Sequence, residues 1–150
     1  MANDPPASPV RRRVALAVLA AATVGLGLFI HRSAGGMIGD VTGDALYAVL
    51  IYLLVALVAP RARRPVVAVF AFAVCTGVEL LQLTALPREA AVVFPPIELV
   101  LGSGFDARDI VVYAAAVAAA SVIDIVSTRV IIGAASGKTT GRPPEGERPV

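Results

Sequence analysis

Glu79 stands inside an apolar stretch at residues 66–83, where a carboxylate costs roughly 2.5–3.5 kcal/mol on membrane-insertion scales. At 1.5 Å of rise per residue it lies about 21 Å into a ~30 Å hydrocarbon core, in its outer third. Gln82 shares its helical face three residues on, with Thr76 and Cys75 one turn back. A second stripe at helical spacing holds Asp109, Tyr113, Ala116, Ala120 and Asp124, and Asp44 and Tyr47 form a further pair. If the helices pack antiparallel, Asp109, Tyr113, Asp44 and Tyr47 meet Glu79 and Gln82 at one level, with Asp106 beside them. Carboxyls gathered in a low dielectric bind a cation or share a proton, because neighbouring carboxylates do not both ionise cheaply. In that role Glu79 carries the proton or cation, Gln82 and Tyr113 orient it, and Asp106 and Asp109 guard the mouth. The competing reading has Glu79 hydrogen-bonded to Tyr47 or Tyr113 only to hold the helices in register. Asp124, near the other end, reads as solvated or paired with Arg129, Cys75 as a small buried apolar residue, and His31 as interfacial.

These groups need a membrane-spanning scaffold, and the composition supplies one. Of 150 residues 57% are hydrophobic and 16% charged, against roughly 45–50% and about 25% in soluble proteins. The mean hydropathy is +0.81. A net charge of +2 is too small to suggest nucleic acid. With a single cysteine there is no internal disulfide framework and no thiolate zinc cage, and a single histidine leaves no histidine pair for zinc. No cofactor or metal is expected.

Four apolar runs predict four helices, at about 14–30, 43–59, 66–83 and 110–126. Residues 1–13 end in Arg11-Arg12-Arg13 and read as a disordered basic lead, and 133–150 as a disordered polar tail. The first run, long and followed by His31-Arg32, reads as an uncleaved helix rather than a signal peptide. Pro60, Arg61, Arg63 and Arg64 stop the second run, and Pro65 suits the first turn of the third helix. The stretch 92–105 is too short and broken to span, and reads as a re-entrant or interfacial segment packed against protein or water. The fold class is therefore all-α, an integral membrane four-helix bundle with that segment before the last helix, all within 14–132.

The positive-inside rule sets the orientation. With the N-terminus cytoplasmic, Arg11, Arg12, Arg13, Arg61, Arg63, Arg64, Arg129, Lys138, Arg142 and Arg148 lie inside, and only Arg32, Arg88 and Arg108 outside. Both termini are then cytoplasmic in a multi-pass cell-membrane protein, and the outer face collects Asp40, Asp44, Glu89, Glu98, Asp106 and Asp109.

Familiar catalytic motifs fail. Gly137-Lys138-Thr139 resembles the end of a P-loop, but the required first glycine position holds Ile132. Gly102-Ser103-Gly104 lacks the spacing of a nucleophile elbow.

The polar residues also carry a resemblance. Gly43-Asp44-Ala45-Leu46-Tyr47, Glu79-Leu80-Leu81-Gln82 and the run from Leu101-Gly102-Ser103-Gly104-Phe105-Asp106 through Ala107-Arg108-Asp109 to Tyr113 resemble a family of small bacterial polytopic membrane proteins classed as a domain of unknown function. The Glu-x-x-Gln pattern, the glycine-bearing loop and Asp-x-x-Asp also resemble the VanZ-like proteins, although Tyr113 stands where asparagine is common there and Ala116-Val117 where glycine is usual. The second resemblance implies a cell-envelope or lipid-linked-substrate enzyme, or a resistance factor. Neither implies a known reaction.

The residues thus lead to an outward-facing acidic, polar site for a cation, proton or polar head group, at Asp44, Tyr47, Glu79, Gln82, Asp106, Asp109 and Tyr113. The alternatives are the envelope enzyme and a purely structural accessory protein. The expected partners are the lipid bilayer and a homo-oligomer or larger membrane assembly. Four spans without an ATPase motif make transport by a single copy implausible.

Overall fold

The computed structural model describes residues 9–102 and 104–137. Every regular element among them is helical: α1 (Pro9–Ser33), α2 (Gly36–Val58), α3 (Arg64–Leu81), α4 (Leu86–Val93), a 3-10 turn at Pro95–Ile97, α5 (Glu98–Leu101) and α6 (Ala107–Gly137). Val10–Ser33, Gly36–Val58, Arg64–Leu81 and Ala107–Ser127 are each long and apolar enough to cross a membrane. The chain is a multi-pass membrane protein of four candidate spans.

The helices outrun the apolar stretches that announce them. α1 begins at Pro9 and takes in the three arginines of the expected lead, α2 begins at Gly36 rather than 43, and α6 starts at Ala107 and passes Arg129 to reach Gly137. Charge ends the part that can cross hydrocarbon, but i→i−4 hydrogen bonding continues wherever φ and ψ permit. The loop expected at 31–43 thereby shrinks to Ala34 and Gly35. The corner is tight: Gly36 has φ +71°, and a Cβ at Gly39 would sit 2.6 Å from the carbonyl oxygen of Ala34.

The four spans alternate in direction. α2, α3 and α6 pack mutually, and α1 lies on the flank of α2. The buried faces read at helical spacing: Leu16 and Ala20 on α1, Ala48, Tyr52 and Ala56 on α2, Val67, Ala71, Cys75 and Glu79 on α3, and Tyr113, Val117 and Ser121 on α6. Ala48, Ala56 and Ala71 are fully buried, and small side chains let backbones approach where lipid offers no hydrophobic drive between helices. Cys75 is a free, buried thiol in this stripe. Phe29, Val69, Phe70, Val111 and Ile123 are exposed, an apolar outside suited to hydrocarbon.

Residues 86–101 form short helices rather than a span. Pro95 and Pro96 break the path, since proline lacks a donor and restricts the residue before it. Val92, Val93, Phe94, Leu99 and Val100 are all exposed there. The segment lies at one end of the bundle, between the end of α3 and the start of α6. This carboxylate end is opposite the arginine end, where α1 begins and α2 turns into α3.

Candidate functional site

α6 starts where Asp106 precedes Ala107, and Asp106 caps it: Oδ1 accepts 2.8 Å from the backbone N–H of Arg108, in the first turn. In a capping box an acid at the third helical position, here Asp109, returns to the cap residue's own N–H. That N–H instead donates to Oε1 of Glu79 at 2.5 Å. Glu79 reaches the N-terminus of α6 from another helix, where the unsatisfied N–H groups and the macrodipole favour a carboxylate. Its other oxygen, Oε2, accepts from the Tyr113 hydroxyl at 3.3 Å. The side chain is 1% exposed and held at both oxygens.

Relieved of the capping duty, Asp109 faces α2. There the Asp44 carboxyl is near enough for the two acids to repel each other when ionised. Arg108 lies beside both acids of its own turn, at 3.3 Å from Oδ2 of Asp106 and 3.5 Å from Oδ1 of Asp109. The second contact lacks hydrogen-bond geometry, so Nε of Arg108 and Oδ1 of Asp109 are buried with an ion-pair distance but no hydrogen bond. Tyr47 closes the side of the site against Tyr113, with ring centroids 6.2 Å apart and planes at 54°, an inclined aromatic pair.

Gln82 extends the set toward the connecting segment. Its Nε2 donates to the Leu101 carbonyl at 2.6 Å, while Oε1 is buried without a partner. So close an approach to the backbone requires Gly102. That residue has φ +68° and ψ 179°, a conformation restricted in practice to glycine, and a Cβ there would overlap the Gln82 amide. Ser103 of the Gly-Ser-Gly turn lies outside the described residues.

All seven residues singled out from the sequence thus come to one end of the bundle. They form two linked parts. Glu79, the Asp106 N–H, Tyr113, Gln82 and the Leu101 carbonyl tie α3 to α6 and α5, while Asp44, Asp109 and Arg108 face each other across α2 and α6. Asp106 joins the two through its backbone and its side chain. The sequence reading missed Arg108 as a member and the backbone groups as partners. Arg108 was visible, one residue from Asp109; the carbonyl of Leu101 and the N–H of Asp106 carry no signature in a residue alphabet. Among the described residues no group of three or more His, Cys, Asp or Glu side chains is placed to hold a metal ion.

Asp124 lies elsewhere, at the arginine end. Its Oδ2 is 3.2 Å from Nη2 of Arg12 and 3.2 Å from Nε of Arg64, and accepts from the Tyr52 hydroxyl at 3.2 Å. Arg12 also donates from Nη1 to the Pro60 carbonyl at 2.6 Å. α1, α2, α3 and α6 meet in this network. Asp124 is thus paired with these two arginines rather than left solvated; the expected pairing with Arg129 falls on a side chain outside the described residues.

Comparison with curated proteins and with solved structures gives no match. A family model described as "Protein of unknown function (DUF2809)" matches residues 34–117, from the α1–α2 corner through Glu79 and Gly102 to the first turns of α6. The match takes in every residue of the carboxylate-end site and more than half of the chain, and the protein belongs to that family.

Proposed function

We propose that this protein is a cell-membrane protein with both termini cytoplasmic, whose carboxylate end faces outward and holds an exchangeable proton or a cationic group between Asp44 and Asp109. The observation that carries this reading is the proximity of those two acids, one on α2 and one at the start of α6, each within the other's field, in segments of spanning length and hydropathy. A proton between the oxygens, or a cation beside them, offsets the repulsion. The placement of Arg108 offsets only part of it, because its guanidinium is shared with Asp106. The absence of a three-ligand group among the described residues favours a proton or the ammonium of a polar head group over a caged metal ion.

Glu79 takes a different role here from the one its sequence position suggests. Both of its oxygens are engaged by the protein, which supports a clamp that fixes the start of α6 and thereby aims Asp109 at Asp44. The same engagement favours, as a second reading, a purely structural cluster.

Infrared difference spectra of the reconstituted protein between acidic and alkaline samples distinguish the two. A carboxylic-acid band removed by both Asp44→Asn and Asp109→Asn, and retained in Glu79→Gln, is the expected result. A spectrum unchanged by either asparagine substitution defeats the site. Labelling of cysteines placed at 61–64 from outside the cell defeats the orientation.

A further inference from the structure

At the arginine end, on the surface between α2 and α3, a groove of about 470 Å³ has an entirely apolar wall. Leu54 and Val58 line it from α2, Val66 and Phe70 from α3, and Ala59 and Ala62 from the turn between them. Leu54, Val58, Val66 and Phe70 are 40%, 81%, 58% and 59% exposed, so none of the described residues covers it. We propose that this groove is a binding site for an anionic phospholipid, with one acyl chain in the groove and the phosphate against Arg61 and Arg63. The proposal is independent of the carboxylate-end site.

Three observations choose this occupant. The first is charge. Arg61 and Arg63 lie on the turn that forms the mouth of the groove and are exposed, and their guanidiniums make no hydrogen bond or ion pair with any described residue. Their neighbour Arg64 turns instead to Asp124. Two guanidiniums beside an apolar slot match a phosphate that carries a hydrocarbon chain.

Depth is the second. The lining runs from Val58 back to Ile51 on α2 and from Val66 to Val74 on α3, about 10–12 Å along the helix axes. That is less than half of a ~30 Å hydrocarbon core, so the groove stays within the leaflet whose headgroups meet the arginine turn. A spanning helix of another protein would need a contact along the whole thickness.

The third is symmetry. A second copy closing the groove by a two-fold axis along the membrane normal would bring its own Arg61 and Arg63 to the same level. Like charges would then meet with no acid among the described residues between them, since Asp124 is already engaged by Arg12 and Arg64.

Native mass spectrometry of the delipidated full chain, offered equal amounts of dioleoyl phosphatidylglycerol and dioleoyl phosphatidylcholine, tests the proposal. Phosphatidylglycerol is expected to be retained in preference, on the order of tenfold for two arginines at the headgroup level. The double substitution R61Q/R63Q should abolish the preference, while R61K/R63K should keep it. Leu54→Trp, which fills the groove, should lower retention of both lipids, and glycerol phosphate without chains should not bind. A preference that survives R61Q/R63Q, retention untouched by Leu54→Trp, or a lipid-free dimer whose contact is lost in Leu54→Trp would each overturn it.

Discussion

One carboxylate at the arginine end, Asp124, faces two guanidiniums, each at 3.2 Å, and a tyrosine hydroxyl. At the carboxylate end Asp44, Asp106 and Asp109 stand near one guanidinium, that of Arg108, and a fourth acid, Glu79, is bound to the Asp106 N–H. Both clusters join α2 to α6 and both use a tyrosine, Tyr52 in one and Tyr113 in the other. They differ in balance. Cations outnumber the acid at the first, so Asp124 is compensated by the fold itself. At the second the acids outnumber the cation, and the fold compensates by geometry: a helix N-terminus takes Glu79, a cap takes Asp106, and the remaining pair is left facing one another. A cluster neutralised internally fastens helices, whereas one left short of positive charge has a use for a proton or cation from outside.

The largest effect expected from this contrast is at Asp124. Asp124→Asn takes away the charge that Arg12 and Arg64 both face. Breaking a buried pair by removing one partner costs 3–5 kcal/mol, and these side chains are 19–25% exposed, which points to the lower figure, about 3 kcal/mol. The fall should be visible in thermal unfolding in detergent micelles. Because the network reaches α1 through Arg12, it should be accompanied by faster proteolysis near the start of α1. An unfolding midpoint within error of the unaltered protein would show that the arginine end is not a fastening.

The contrast also separates what could be read from sequence from what could not. Helix faces follow from local spacing, so Glu79 with Cys75, Tyr113 with Asp109 and Asp44 with Tyr47 were assigned together, as the structure places them. Partners across helices depend on which helices touch and at what register. Arg12 and Asp124 are 112 residues apart, and nothing local distinguishes Arg12 from Arg11 or Arg13 until α1 is laid along α2 and only one of the three turns inward. At the other end, the role of Glu79 depends on a backbone N–H whose position is set by where α6 starts, and the apolar run alone put that start three residues late.

A smaller effect, confined to the carboxylate end, is expected at Gly102. Alanine there would have to adopt φ +68° with ψ 179° and would meet the Gln82 amide. A residue held in that region costs of order 1–3 kcal/mol, so about 2 kcal/mol of stability should be lost. Hydrogen exchange should rise around α5 and the start of α6 and stay unchanged at the α2–α3 turn. A uniform rise through the whole bundle would mean that the two ends are not separable.

The sign of coupling is the most discriminating prediction, although its magnitude is the smallest. For Arg64 and Asp124, in contact at 3.2 Å, Arg64→Gln and Asp124→Asn each remove the same attraction. The double change therefore costs less than the two single changes summed, and the interaction energy in the cycle is negative when destabilisation is counted positive. For Asp44 and Asp109, measured at alkaline pH with both carboxyls ionised, each asparagine removes the same repulsion. Either single change should stabilise, the double change should add little more, and the interaction energy should be positive, on the order of 1 kcal/mol. Arg108, placed beside Asp109 but shared with Asp106, lowers the magnitude without reversing the sign. Opposite signs in the two cycles are what one fastened and one under-compensated cluster require. Equal signs would mean that Asp44 and Asp109 are bound by attraction even when ionised, which would require positive charge beyond Arg108 and would remove the reason for placing a proton between them.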